Sequence, residues 1–128
     1  GIFFDSNQVF FCCTTGGPLE KGQIFRYSSD KEEIDLVIQS ENPKILNMPD
    51  NICISPNGDL VMAEDGGDCH IRVLTSSGKL ITLAQNVNIR NEIAGVCFSP
   101  SGKTLFCNLQ QEGITVALHG PFHRLTDL

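Results

Sequence analysis

One strand–turn–strand unit, used three times, constrains this chain more than any other feature. Its clearest copy spans residues 48–67. Residues 51–54 are a short apolar run, Ser55-Pro56-Asn57-Gly58 has the composition of a tight turn, and residues 60–63 are a second apolar run. A similar unit opens the chain with Gly1-Ile2-Phe3-Phe4-Asp5, a polar turn, and Val9-Phe10-Phe11-Cys12-Cys13. A third runs from Gly95 to Asn108 around Ser99-Pro100-Ser101-Gly102. Asp5, Ser55 and Ser99 take equivalent places roughly 40 to 50 residues apart, the repeat length of a four-stranded β-propeller blade.

The segments between these units predict the outer strands of each blade: residues 23–28 and 34–39, then 70–74 and 80–84, then 114–118. Gly120-Pro121 interrupts the third set before a fourth strand can form. No stretch has a convincing helical period. The expectation is an all-β chain of about three four-stranded antiparallel blades in one partial propeller domain, with units at 1–43, 44–88 and 89–128. Such a chain is too short to close, because a propeller needs about four blades or more. Either it is a fragment of a longer protein, or two copies pair as a homodimer that completes a six-bladed ring.

The net charge of −6 and the absence of a basic stripe argue against nucleic acid as a partner. The acidic balance suits cation binding, although a soluble acidic surface is its commoner cause. No apolar segment approaches the roughly 18 residues that span a bilayer, so no membrane role is expected.

Of the six cysteines, Cys12 and Cys13 are adjacent and point to opposite faces of one strand. Cys53, Cys97 and Cys107 lie in apolar runs, where a free thiol behaves as a small buried hydrophobe, and Cys69 alone lies in a loop. No CxxC or zinc-type spacing occurs. Free buried thiols are the expected state, which leans weakly toward a reducing compartment. Cys12 or Cys13 lining a metal pocket is the alternative.

The chemistry-bearing feature is Glu64-Asp65-Gly66-Gly67, which places carboxylates where an apolar strand runs out into a loop. Packing gives no reason for an acid there. His70, His119 and His123 form no legible Ser-His-Asp arrangement and read as structural or solvated, His123 as part of a mobile tail. Gly16-Gly17 and Gly66-Gly67 lack the strand-to-helix setting of a phosphate-cradling loop.

Three strings together resemble the C-terminal part of the PhoX-type alkaline phosphatases: Asn47-Met48-Pro49-Asp50-Asn51-Ile52 with Ser55-Pro56-Asn57-Gly58 and Glu64-Asp65-Gly66-Gly67; Glu92-Ile93-Ala94-Gly95-Val96-Cys97-Phe98-Ser99-Pro100; and Gly113 through Phe122, where Phe122 stands in place of the family's Trp. Gly1-Ile2-Phe3-Phe4-Asp5 is similar to a strand that follows a glutamate in that family.

The resemblance implies a six-bladed propeller with calcium and iron in a central channel, hydrolysing phosphate monoesters in an exported, periplasmic or extracellular protein. Carried over residue by residue, it implies Glu64 as the first metal-ligand candidate, then Glu92 and Asp50, with Asn51 adding a carbonyl oxygen; Asp65 ranks below them. Catalytic residues and a phosphate-binding cation are not identified. Two other readings stay open: a calcium-dependent lactonase-type propeller hydrolase, and a noncatalytic propeller segment that serves as an interaction platform.

Overall fold

The computed structural model describes residues 1–87 and 92–127. It is all-β, with strands β1 (Ile2–Asp5), β2 (Gln8–Cys13), β3 (Gln23–Ser28), β4 (Glu33–Gln39), β5 (Pro49–Ile54), β6 (Leu60–Glu64), β7 (His70–Leu74), β8 (Leu80–Gln85), β9 (Ile93–Phe98), β10 (Thr104–Leu109) and β11 (Ile114–His119). Every pairing is antiparallel between neighbours in sequence, giving open sheets β1-β2-β3-β4, β5-β6-β7-β8 and β9-β10-β11. The sheets are successive propeller blades, and their first strands β1, β5 and β9 lie side by side. The expected boundary at residues 88–89 lies outside the described residues.

Local chemistry explains the hairpins. Ser6 and Asn7 both adopt positive φ (46° and 64°), as a two-residue hairpin turn requires. In the second blade the Ser55 amide donates to the Asp59 carbonyl at 2.8 Å, and in the third the Ser99 amide donates to Thr104, also at 2.8 Å. The third turn is therefore one residue longer, and Phe98↔Leu105 occupies the place that Ile54↔Leu60 holds in the second blade. Gly95, at φ +62°, permits a bulge opposite β10, where the register shifts between Phe106 and Asn108.

Strand alternation divides the apolar residues between two cores. Phe10 and Ile24 of the first blade meet Ile52, Leu60 and Met62 of the second, capped by Leu46 from the connecting segment. The other face of the second blade, with Cys53, Val61, Ala63, Ile71 and Val73, meets Ile93, Val96, Leu105 and Cys107 of the third.

The third sheet stops at three strands among the described residues, as the Gly120-Pro121 interruption implies, and the chain turns into a 3-10 helix, Phe122–Asp127. Two expectations change here. His123 is consequently not in a mobile tail: Phe122 and Leu125 around it are buried, and the Phe122 ring meets Phe98 edge-on at 5.2 Å. Cys97 is exposed although its run is apolar, because the face of β9 that carries it has no blade against it, whereas loop residue Cys69 is buried.

The first blade also leaves one face open. Cross-strand rows Ile2–Phe11–Phe25–Leu36 and Phe4–Val9–Tyr27–Ile34 run across all four of its strands. Phe11 and Phe25 stack at 5.7 Å, while Ile2 and Phe4 are 71% and 66% exposed.

Candidate functional site

Antiparallel order sends alternate connections to opposite edges of the blades. The Ser-Pro turns gather on one edge. On the other lie the β2–β3 loop, the β4–β5 segment, the β6–β7 loop and the start of β9. The acidic candidates all belong to this second rim.

Asp50, the second residue of β5, is half-buried, and the Thr14 hydroxyl donates to its Oδ1 at 2.8 Å. Asp65 follows β6, and its amide donates to the Met48 carbonyl at 2.9 Å. Glu92 precedes β9, and Gln110 Nε2 donates to its Oε2. Two of these carboxyls respond to their acidic neighbours. Asp65 reaches the surface, yet protein on its inner side strips part of its hydration, and with the charge of Asp50 this raises its carboxyl above the usual range. Glu92 is raised by burial first, then by the charges of Asp65 and Asp50, against the lowering effect of Gln110. Cys12, on β2, is pushed up to about 11, chiefly by burial, with Asp50 adding to the shift, so it stays a neutral thiol.

Glu64 faces elsewhere. It is fully buried on the side of β6 that also carries Leu60 and Met62, between the first and second blades. Its Oε1 accepts from the Asn47 amide at 2.9 Å and from Arg72 Nε at 3.0 Å. Its Oε2 accepts from the His70 amide at 3.1 Å and lies 2.8 Å from His70 Nδ1. Arg72 also donates to the Lys44 carbonyl at 3.1 Å and to the Thr82 hydroxyl. The network staples the β4–β5 segment onto the second blade. His70, six residues after Glu64, is brought onto it by the β6–β7 hairpin. Arg72 escaped sequence reasoning because an Arg in a strand reads as solvent-facing; the signal lay in its register opposite Met62, a core position.

Asn51 Oδ1 accepts from the Val96 amide at 2.7 Å, tying β5 to β9. Asn47 Nδ2 donates to the Gly66 carbonyl, while Asn47 Oδ1 is buried with no hydrogen-bond partner among the described residues. His119 Nδ1 lies 3.1 Å from the Thr104 hydroxyl, on the opposite edge.

The fit to a hard cation is partial. Oxygen donors from three successive segments share a rim, their charges repel one another, and an unpartnered amide oxygen lies beside the loop that carries Asp65. Among the described residues, however, no three His, Cys, Asp or Glu side chains gather closely enough to hold a metal ion.

Successive antiparallel sheets with their first strands side by side define a propeller-type blade arrangement. The family model described as alkaline phosphatase PhoX matches residues 2–113, and the chain belongs to that family. No curated protein matches it.

Proposed function

We propose that this chain forms part of a phosphate-monoester hydrolase and contributes Asp50, Asp65 and Glu92 to a calcium-binding rim. Family membership supports the phosphatase-like chemistry. The observation that carries the site assignment is the placement of these three acids on one rim, where Asp65 and Glu92 are raised by burial and, to a lesser degree, by neighbouring carboxylates, a strain that a divalent cation relieves. When bound, such a cation supplies neutralisation of the carboxylates and polarisation of a phosphoryl oxygen.

This chain's own residues prepare the rim. Thr14 orients Asp50, Gln110 orients Glu92, and Asn47 Oδ1 offers a further hard oxygen. Glu64, with both oxygens engaged by Arg72, His70 and backbone amides, holds the rim's connecting segment in place. Asn51 joins the first strands of two blades. The case for iron and for an exported location rests on family resemblance alone.

Calorimetric titration of the metal-free chain with Ca2+ tests the reading, followed by p-nitrophenyl phosphate hydrolysis. Binding is expected, weakened by Asp50→Asn and by Glu92→Gln and unchanged by Lys31→Ala in a turn of the opposite edge. A chain that takes up no Ca2+, or takes it up equally in all variants, overturns the site assignment.

A further inference from the structure

We propose that the Ser-Pro edge, between the second and third blades, binds a phosphate group, free or esterified, through Lys103, His119, His123 and Ser101. This edge is opposite the acidic rim, and the inference does not rest on the calcium assignment.

The four residues line one cavity of about 390 Å3, walled on the second-blade side by Pro56. Two contacts between the blades fix its shape. A Cβ on Gly102 would collide with Pro56 Cγ, so the two Ser-Pro turns already touch. Asn57 Nδ2 donates to the His123 carbonyl and so anchors the start of the 3-10 helix on the second-blade turn. Both walls belong to blades that pack directly on one another.

Comparison of the repeats shows that the hairpin itself does not call for these bases. By register, Thr104 and His119 take the places that Asp59 and Thr75 hold in the second blade. Asp59 is fully buried and accepts from the Ser55 hydroxyl and the Ser76 amide. In the third blade the residue added to the turn is Lys103, and an exposed imidazole replaces buried Thr75. The same edge has therefore changed from a self-satisfied acid to a group of bases.

Among the described residues no carboxylate pairs with Lys103, His119 or His123. On a chain of net charge −6, these groups around one hollow attract an anion from solution. Their donors suit a phosphate: an ammonium acting as a point charge, imidazole N–H groups and a hydroxyl. The hydroxyl of buried Thr104 lies 3.1 Å from His119 Nδ1, which leaves Nε2 as the ring's remaining polar atom. A bound anion selects the state in which Nε2 carries a proton. Ser101 Oγ lies 3.1 Å from Ser99 Oγ and is free to turn its proton to the ligand. Asp5 lines the neighbouring groove with Phe3 and Phe98, and its charge confines the anion to the Lys103 side.

NMR titration of the metal-free chain with inorganic phosphate is the test, with chloride at matched ionic strength as the blank. Saturable shifts are expected at Lys103, His119 and His123. Lys103→Ala and His123→Ala, both at exposed sites and checked for native circular dichroism, should each weaken binding about fivefold. Lys31→Ala, in a first-blade turn of the same edge, should leave it unchanged. Phenyl phosphate, run in parallel, supports a monoester site if it binds more tightly than the ion, and a site for the free ion if it does not. Absence of saturable shifts, shifts spread over all surface bases, or equal binding by every variant overturns the proposal.

Discussion

Arg72 Nε donates to Glu64 Oε1 at 3.0 Å between the first and second blades, with the two side chains 8% and 0% exposed. A carboxylate placed by sequence at the head of an acidic loop is thus half of a buried ion pair. Removing one partner strands the other charge away from water, so Glu64→Ala should cost about 3–5 kcal/mol. Urea unfolding in the presence of a chelator checks this, since a residue needed only for metal would leave the metal-free stability unchanged.

Asp65 and Glu92 predict an acid-favoured rim. Both carboxyls hold protons more tightly in the folded chain than their ordinary values of 3.8 and 4.5 allow. The folded state therefore binds more protons between those values and the raised ones. Their contribution to stability is present below the ordinary values and is lost as pH rises through the raised values. Carboxyl NMR titration should show Asp65 moving down in Asp50→Asn, with Glu92 following by a smaller amount. An unmoved Asp65 would mean that Asp50 does not act on it.

Asn51 links two blades through one hydrogen bond, its Oδ1 accepting the Val96 amide at 2.7 Å. Asn51→Ala leaves the amide of buried Val96 without its acceptor and should cost about 1–3 kcal/mol. Faster exchange of the Val96 amide than of the β6–β7 ladder would locate the loss at this joint.

Gly95 sits at φ +62°, and a Cβ there would come within 2.5 Å of Asn108 Nδ2. Gly95→Ala should therefore cost about 1–2 kcal/mol from backbone conformation alone. Thermal unfolding of Gly95→Ala beside Gly95→Ala/Asn108→Ala separates the two causes: partial recovery in the double variant reports the side-chain contact.

Three repeats, their hairpin turns and the approximate strand bounds were legible in sequence because they depend on local chemistry. Period-two alternation and Ser-Pro-X-Gly turns act over a few residues. Asp50 and Glu92 were legible as rim acids for the same reason, since a residue at the start of a first strand must lie at a blade edge. The direction of Glu64 was not. At the end of a strand an acid can face a loop or a neighbouring blade, and which it does depends on Arg72, eight positions later and meaningful only through the register of β6 with β7.

The sequence by itself determined that the chain is β throughout, that it repeats, and that its acids collect where strands end, since propensity, turn chemistry and alternation are properties of neighbouring residues. Tertiary structure alone decided which face of each strand meets another blade, and hence that Glu64 is stapled inward, that Cys97 stands exposed while Cys69 is buried, and that Ile2 and Phe4 lie open. Those outcomes depend on cross-strand register and on contacts between blades, whose partners lie from eight to tens of residues away and leave no mark on the local pattern.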